Sequence, residues 1–200
     1  MSANTQNAEI NVSAAKGVTG GYVYRAPVGS TLPNSPDWEP DGTWTCMGYV
    51  TEDGETFSTE SEVQEFRDQN GDIIDTSQSS YGESFSCSFA ETKKAVFESM
   101  YGEDAVKDEG GVLEVNHTGA EPGTYSYAFL FLLKNGRKWV RCAEKCKRTE
   151  LSDMQANSST LVAWGATYRV IKSETTEGYF EDFFESTETG QTGQTGTTGA

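Results

Sequence analysis

The chain has 200 residues, 35% of them hydrophobic, and its 31 acidic and 15 basic residues give a formal net charge of −16. That length is enough for one domain with a hydrophobic core plus tails. Because tight nucleic-acid binding needs clustered Lys and Arg to replace phosphate counterions, the acidic balance argues against a DNA-binding protein. The polar N-terminus and the short longest apolar run, residues 125–133, argue against a secretion signal and against a membrane span of about 20 residues.

The first part of the chain predicts two short strands joined by a long loop. Residues 1–16 show too little periodicity for an element and are assigned to an N-terminal arm. Alternating apolar residues predict strands at 21–26 and 45–50. The stretch between them contains Pro33, Pro36 and Pro40, so it is expected to run over the surface.

Residues 54–82 predict a long β-hairpin with strands at 63–69 and 73–81. The segment is rich in Ser, Thr, Glu and Gln, and Asn70-Gly71-Asp72 is a strong turn signal. Because such a hairpin buries too little surface to be stable alone, it is either a floppy surface loop or an assembly arm that folds against neighbouring subunits. The residues assigned to this arm are Glu60, Glu62, Val63, Phe66, Ile73 and Ile74.

Residues 83–89 alternate between apolar and serine side chains and predict a core strand. The side chains expected to face the core are Phe85, Cys87 and Phe89, together with Phe66 from the arm. The opposite strand faces are expected to carry Glu65, Arg67, Ser84 and Ser86.

One helix is predicted next. Ser88 and Glu91 have the spacing of a capping box, and Gly102 supplies a stop. An apolar stripe at helical spacing is expected to pack on the core. The stripe consists of Val96, Phe97, Met100 and Tyr101.

Two further strand regions complete the domain, which is assigned to residues 17–174. Residues 125–133 and 139–143 flank an Asn135-Gly136 turn and predict a second hairpin. The run 127–133 is apolar on both faces, which predicts a strand covered on both sides, by the helix or by another subunit. A last strand is expected at 160–172. Its core face is formed by Trp164, Ala166, Tyr168 and Val170.

The composition changes after residue 174. Residues 175–188 mix acidic side chains with Tyr179, Phe180, Phe183 and Phe184, and we expect this segment to dock on its own domain. Residues 189–200 repeat Gly, Gln and Thr and predict a flexible tail.

Side chains for catalysis or metal binding are sparse. His117 is the single histidine, which leaves one possible base for a Ser-His-Asp triad and excludes a multi-histidine metal site. The four cysteines are scattered and are expected to be reduced and mostly buried. No nucleophile–base pair or phosphate loop stands out, so we predict no enzymatic activity, no cofactor and no metal.

Four islands of sequence, in this order, resemble the tail tube proteins (major tail proteins) of long-tailed bacteriophages. Residues 22–33 contain Ala-Pro-Val-Gly, and residues 44–54 end in Gly-Tyr-Val-Thr-Glu-Asp-Gly. Residues 91–104 are similar to that family's single helix and its Tyr-Gly-Glu-Asp ending, and residues 138–172 are similar to its closing strands. The likeness spans about residues 17–172. Cys142 and Cys146 lie where the family has a plainer apolar strand.

The resemblance implies a mainly β fold, a β-sandwich or barrel with one flanking α-helix and a long hairpin arm. It also implies hexameric rings that stack into a hollow tube, the conduit for viral DNA. Its partners would be further copies of itself, a tape-measure protein, and tail-tip and terminator proteins. DNA would pass without specific binding, and the tube would belong to a virion assembled in the host cytoplasm. The candidates for the lumen are Glu65, Arg67, Ser84 and Ser86.

Two alternatives stay open. One is a β-sandwich that recognises a host surface or a glycan, with Trp38, Trp44 and loop tyrosines as stacking platforms. The other is a secretion-system tube protein, which would have a related fold and would also assemble into a tube.

Overall fold

An antiparallel β-sheet forms most of the structure, a computed structural model that describes residues 13–186. The predicted tail, 189–200, lies outside the described residues, as do residues 1–12 of the predicted N-terminal arm. The strands are β1 (Ala15–Gly17), β2 (Val23–Pro27), β3 (Thr45–Cys46), β4 (Thr56–Arg67), β5 (Ile73–Phe89), β6 (Val106–Glu109), β7 (Val112–Val115), β8 (Thr124–Leu133), β9 (Lys138–Leu151), β10 (Trp164–Ile171) and β11 (Glu181–Phe184). The helix α1 spans Lys94–Tyr101, and a 3₁₀ turn follows at Glu103–Ala105.

The main sheet has the order β3-β2-β8-β9-β10-β5-β4, with β1 beside β2 on β8 and β11 beside β10 on β9. Phe85 of β5 and Phe129 of β8 have ring centroids 4.9 Å apart, although two strands separate β5 from β8 in the sheet. The sheet therefore curls until its two halves face each other. It remains open, because β3 and β4 stay at its two ends. The predicted mainly β fold with one flanking helix is confirmed.

The interior of this curl holds the main hydrophobic core. The predicted inward faces of β5 and β10 are buried, including Phe85, Phe89 and Tyr168, except that Trp164 at the start of β10 is only partly buried. The Tyr168 hydroxyl, buried beside the Ser99 hydroxyl at 2.8 Å, satisfies its polar end without water. Helix α1 closes one side of the core with Val96 and Met100.

The helix starts later than the sequence predicts, and the predicted capping box is wrong. Lys93 is the N-cap residue and no side chain caps it. Ser88 remains in β5, paired with Gly165 of β10. The Glu91 carboxylate accepts a hydrogen bond from the Tyr49 N–H at 2.8 Å and pairs with Lys93. Sheet pairing up to Phe89 holds this backbone extended, so the helix cannot begin there.

The second face of strands β2, β8 and β9 is covered by the proline-containing loop, residues 28–44. Trp44 of this loop packs with Ala128 and Cys142, joined by Trp38 and by Phe183 of β11. The prediction that 127–133 is covered on both sides is therefore confirmed. On this face, however, the cover within the described chain is the loop and β11 rather than the helix.

Two predicted strands are shorter than expected. Only Thr45 and Cys46 of the region 45–50 join the sheet, apart from an isolated bridge between Val50 and Phe89. The chain turns away from the sheet at Gly48, which has φ of 93°. Residues with a Cβ rarely adopt this backbone conformation, so a glycine makes the turn possible. The last strand begins at Trp164, and residues 152–163 form the loop between β9 and β10.

Candidate assembly surface

A long hairpin formed by β4 and β5 projects from the body of the molecule. The predicted hairpin is present but longer than expected, because β5 continues without interruption into the core strand. Residues 58–81, hereafter the projecting hairpin, are exposed apart from the partly covered Asp68. At about 3.3 Å per residue, strands of this length extend roughly 30 Å.

The turn of the projecting hairpin is fixed by Asp68. Its carboxylate accepts hydrogen bonds from the backbone N–H groups of Asn70 and Asp72, each at 2.8 Å. The bond from Asp72, followed by that from Asn70, lowers the pKa of Asp68. Gly71 has φ of 91°, so the predicted turn residues serve the purpose inferred from the sequence.

The strand register divides the hairpin into two faces. Phe57 opposes Phe85 on the inner face, and Ser58 opposes Ser84 on the outer face. Alternation along β4 then puts Glu65 and Arg67 on the inner side. The same alternation puts Phe66 on the outer side, where it opposes Asp75 and is 42% exposed. The prediction that Phe66 faces the core is wrong, because the hairpin leaves the body before reaching it.

The four predicted lumen candidates consequently separate into two pairs. Ser84 and Ser86 lie on the outer face of β5, opposite Ser58 and Thr56. Glu65 and Arg67 lie on the other face and pair with each other at 2.5 Å. One surface can therefore include only one of these pairs.

The arm residues predicted from the sequence all lie on the hairpin and are exposed to solvent, divided between its two faces. Val63 is 60% exposed and Ile74 is 68% exposed, and Ile73 is half exposed. Exposed aliphatic side chains at this density are typical of a surface that another protein covers. Glu60 differs from the rest, because its carboxylate pairs with Arg169 of β10 at 2.6 Å.

The outer face of β5 continues across the neighbouring strands as a surface of hydroxyls and mixed charges. Ser84 aligns with Arg169, which aligns with Lys147, and Ser86 aligns with Thr167. Arg169 and Lys147 are residues that the sequence prediction missed. Only the register of β9 and β10 places them beside the serines, so no local signal could have found them.

The root of the hairpin is held by the C-terminal segment, which docks on its own domain as predicted. Strand β11 pairs with β9 from Trp139 to Cys142. Asp182 accepts two hydrogen bonds from the Arg141 guanidinium, at 2.8 and 2.6 Å. The Tyr179 ring contacts the Tyr81 ring at the point where β5 leaves the body.

The cysteines are buried thiols with the exception of Cys46, which is partly exposed, and all four are free. Burial raises the pKa of Cys87 and Cys146, and it raises the pKa of Cys142 to about 12. These three thiols are therefore protonated and weakly nucleophilic near neutral pH. His117 is exposed and its ring lies 4.2 Å from that of Tyr101.

Residues 13–186 contain no group of three or more His, Cys, Asp or Glu side chains that could hold a metal ion. Over the same residues, no helix is long and apolar enough to cross a membrane.

A curled antiparallel sheet with one flanking helix places the chain among the mainly β proteins. The sequence model of the phage tail tube protein family matches residues 5–185, and the chain belongs to that family. It is therefore a structural component of a phage tail. The resemblance over residues 17–172 is confirmed, and family membership indicates a structural role rather than a catalytic one.

One solved structure similar to this chain is the cap that terminates the tube of the anti-feeding prophage, determined by cryo-electron microscopy. It shares 10% sequence identity with a TM-score of 0.43, over 91% of this chain and 98% of the cap chain. No curated protein sequence matches the chain.

Proposed function

We propose that this protein assembles into hexameric rings that stack into the tail tube, the conduit through which viral DNA is ejected. The observation that carries the proposal is the projecting hairpin, whose aliphatic side chains are exposed on a chain that belongs to the tail tube family. A two-stranded hairpin with both faces in water is marginally stable. Contact with neighbouring subunits would supply the burial that it lacks.

The edges of the sheet support lateral assembly. Strand β4 is the end strand of the sheet over twelve residues, Thr56–Arg67, and pairs only with β5 in the described chain. An unpaired edge of this length offers backbone N–H and C=O groups to another strand. Continuing the sheet from one subunit to the next would close a ring and remove the free edge.

Strand directions support stacking. Trp164 at the start of β10 pairs with Phe89 at the end of β5, so the hairpin tip and the loop 152–163 lie at opposite ends of the sheet. In a stack along the strand direction, the loop 152–163 of one copy would contact the hairpin of the next copy. The loop exposes Met154, Leu161 and Val162. Two different surfaces in contact give a head-to-tail interface, which produces an open stack.

For the lumen we propose the outer face around Ser84 and Ser86. It combines hydroxyls with Arg169 and Lys147, which are both paired with carboxylates, Glu60 and Glu121. Neutralised cations hold phosphate weakly, which suits passage of DNA without specific binding. Glu65 and Arg67, on the other face, are assigned to subunit contacts instead.

The remaining assignments follow from the same proposal. Residues 17–174 form the tube domain, with 54–82 as the assembly arm, 1–16 and 189–200 as terminal extensions, and 175–188 as the docked segment. A tape-measure protein would occupy the bore before ejection, and tail-tip and terminator proteins would bind the tube ends. Assembly would take place in the host cytoplasm and need no cofactor.

The glycan-binding alternative loses Trp44 as a stacking platform, although Tyr49 is 65% exposed. Trp44 is 6% exposed, and Trp38 packs edge-on against it at 5.1 Å and against Tyr24. Trp44 is therefore too buried to stack on a sugar, and the partly buried Trp38 is engaged by two aromatic neighbours. A secretion-system tube would also be built from stacked rings of identical subunits. The genes that flank this one would distinguish it from a phage tail.

Negative-stain electron microscopy of the concentrated purified protein tests the proposal. Rings or hollow striated tubes are the expected result. A strictly monomeric protein by light scattering, with no rings on the grid even after addition of tail-tip proteins, would contradict it.

A further inference from the structure

Two sets of contacts from outside the hairpin hold the root of the projecting hairpin, one on each face. They are called the outer grip and the inner grip below. On the outer face, Arg169 of β10 aligns with Ser84 but reaches past Gly82 to the Glu60 carboxylate, at 2.6 Å. A Cβ on Gly82 would lie 1.9 Å from the Arg169 Nη2. A glycine at this position is what lets the guanidinium cross β5 and reach β4.

On the inner face, the C-terminal segment holds the same rungs of the hairpin. The Tyr179 hydroxyl donates to the Tyr81 carbonyl at 3.0 Å, and the two rings are 5.2 Å apart. One residue further on, the Phe180 N–H donates to the Glu83 carboxylate at 3.1 Å. Tyr81 and Glu83 flank Gly82, so the two grips meet at a single level of β5.

The inner grip is itself anchored deep in the domain. Phe180 lies against Phe57 at 5.4 Å between centroids, and the Arg141 guanidinium lies over both rings. Arg141 is held by Asp182. Past this level the hairpin is on its own: the hydrogen bonds found for residues 62–80 within the described chain stay inside the hairpin.

We propose that Arg169 and Tyr179 are positioning residues. They hold the projecting hairpin in the orientation in which it contacts the neighbouring subunit, although neither residue belongs to the surface that makes this contact. This inference rests on the proposed function. A hairpin held at its root loses less conformational freedom when it docks than one that swings freely, so the grip increases affinity through pre-organisation. An ion pair as exposed as that of Arg169 and Glu60 contributes little to stability, so the grip is expected to matter more for assembly than for folding.

The test is a pair of substitutions, Arg169→Ala with Tyr179→Ala, made in the full chain. We expect the concentration needed for assembly, measured by sedimentation, to rise about tenfold, which corresponds to roughly 1.4 kcal/mol. The melting temperature should fall by only a few degrees. Arg169→Lys with Tyr179→Phe, which keeps a cation and the ring, should recover most of the assembly. The matched control is Lys138→Ala, which removes another exposed ion pair, with Asp37.

Hydrogen exchange of the unassembled chain provides a second readout. The double alanine variant should speed exchange of the amides at residues 59–61 and 81–83, and Gly82→Ala should do the same by displacing Arg169. Unchanged exchange there, or assembly at the wild-type concentration, would overturn the inference while leaving the proposed function intact. A wild-type chain that never assembles would overturn the proposed function, and the inference with it.

Discussion

At the scale of single residues, the Glu55 carboxylate is a polar group near the core with an unpartnered oxygen. It lies just before β4, and its Oε1 is buried with no hydrogen-bond partner in the described structure. Burial raises the pKa of Glu55, with its own backbone N–H acting in the opposite direction. A carboxylate that resists ionisation in the folded state favours the fold when protonated and opposes it when charged.

Glu55→Gln is expected to stabilise the protein at pH 7 by up to about 1 kcal/mol, because the neutral amide avoids the cost of keeping a charge in a partly buried site. The pH dependence follows from the raised pKa of Glu55 in the folded state. The contribution of protonated Glu55 to stability is fully present below its unfolded-state pKa and is lost as pH rises through its folded-state pKa. The two proteins should therefore converge towards pH 4. Urea unfolding across this range measures the difference, and Glu52→Gln, at an exposed site, is the control. A constant difference at all pH values would contradict the assignment.

At the scale of elements, the hairpin combines a well-defined turn with an almost complete lack of burial. Its strands contact each other, but beyond the root they pack on nothing else in the described chain. Local opening of such a unit costs far less than unfolding the core. The same feature suits an element whose root is fixed in direction, while its outer part, residues 62–80, becomes stably ordered on contact with a neighbour.

We expect the amides of residues 62–80 to exchange rapidly in the free subunit and to become protected in the assembled tube. Peptide-resolved hydrogen exchange on both states makes the comparison, with β8 as the internal standard that is protected in each. Strong protection of the hairpin in the free subunit would rule out this behaviour. Deletion of residues 62–80 with a short turn in their place should leave the domain folded and prevent stacking.

At the scale of the whole molecule, the two ends of the sheet differ. The hairpin leaves from one end of β5, and the exposed loop 152–163 lies at the other, so a stack of copies would repeat one head-to-tail contact. The hydroxyl-rich outer face runs between these ends and would line the stack continuously.

A photo-crosslinking amino acid at Ile74 tests the direction of stacking. We expect the crosslinks in assembled tubes to fall within residues 152–163 of another copy, as identified by mass spectrometry. Placement at Thr118, which is exposed and away from the hairpin, is the control and should not give that product. Crosslinks confined to other regions would show that the rings meet through a different surface.

Ser84→Lys with Ser86→Lys tests the lumen assignment. Tubes should still form, because both side chains are partly exposed and surface substitutions usually change stability by no more than about 0.5 kcal/mol. DNA ejection should slow, since the added cations extend the row of Arg169 and Lys147 and create phosphate contacts, and the delay should shrink as salt rises. Thr118→Lys with Ala120→Lys, at exposed positions outside the hairpin and outside the loop 152–163, is the charge-matched control. Normal ejection at every salt concentration would show that the outer face does not line the bore.

The sequence by itself determined the features that depend on local pattern. Alternation identified Phe85, Cys87 and Phe89 as a buried face, Asn70-Gly71 and Asn135-Gly136 marked both hairpin turns, and four short islands indicated the family. The tertiary structure alone decided where the helix starts, which face Phe66 occupies, and which residues grip the hairpin. Those features depend on pairing between distant segments: β10 holds Ser88 in the sheet, and Arg169 and Tyr179 come from 87 and 98 residues further along the chain than Gly82 and Tyr81. Side-chain periodicity reports which face of a strand is buried, but carries no information about which strand lies beside it.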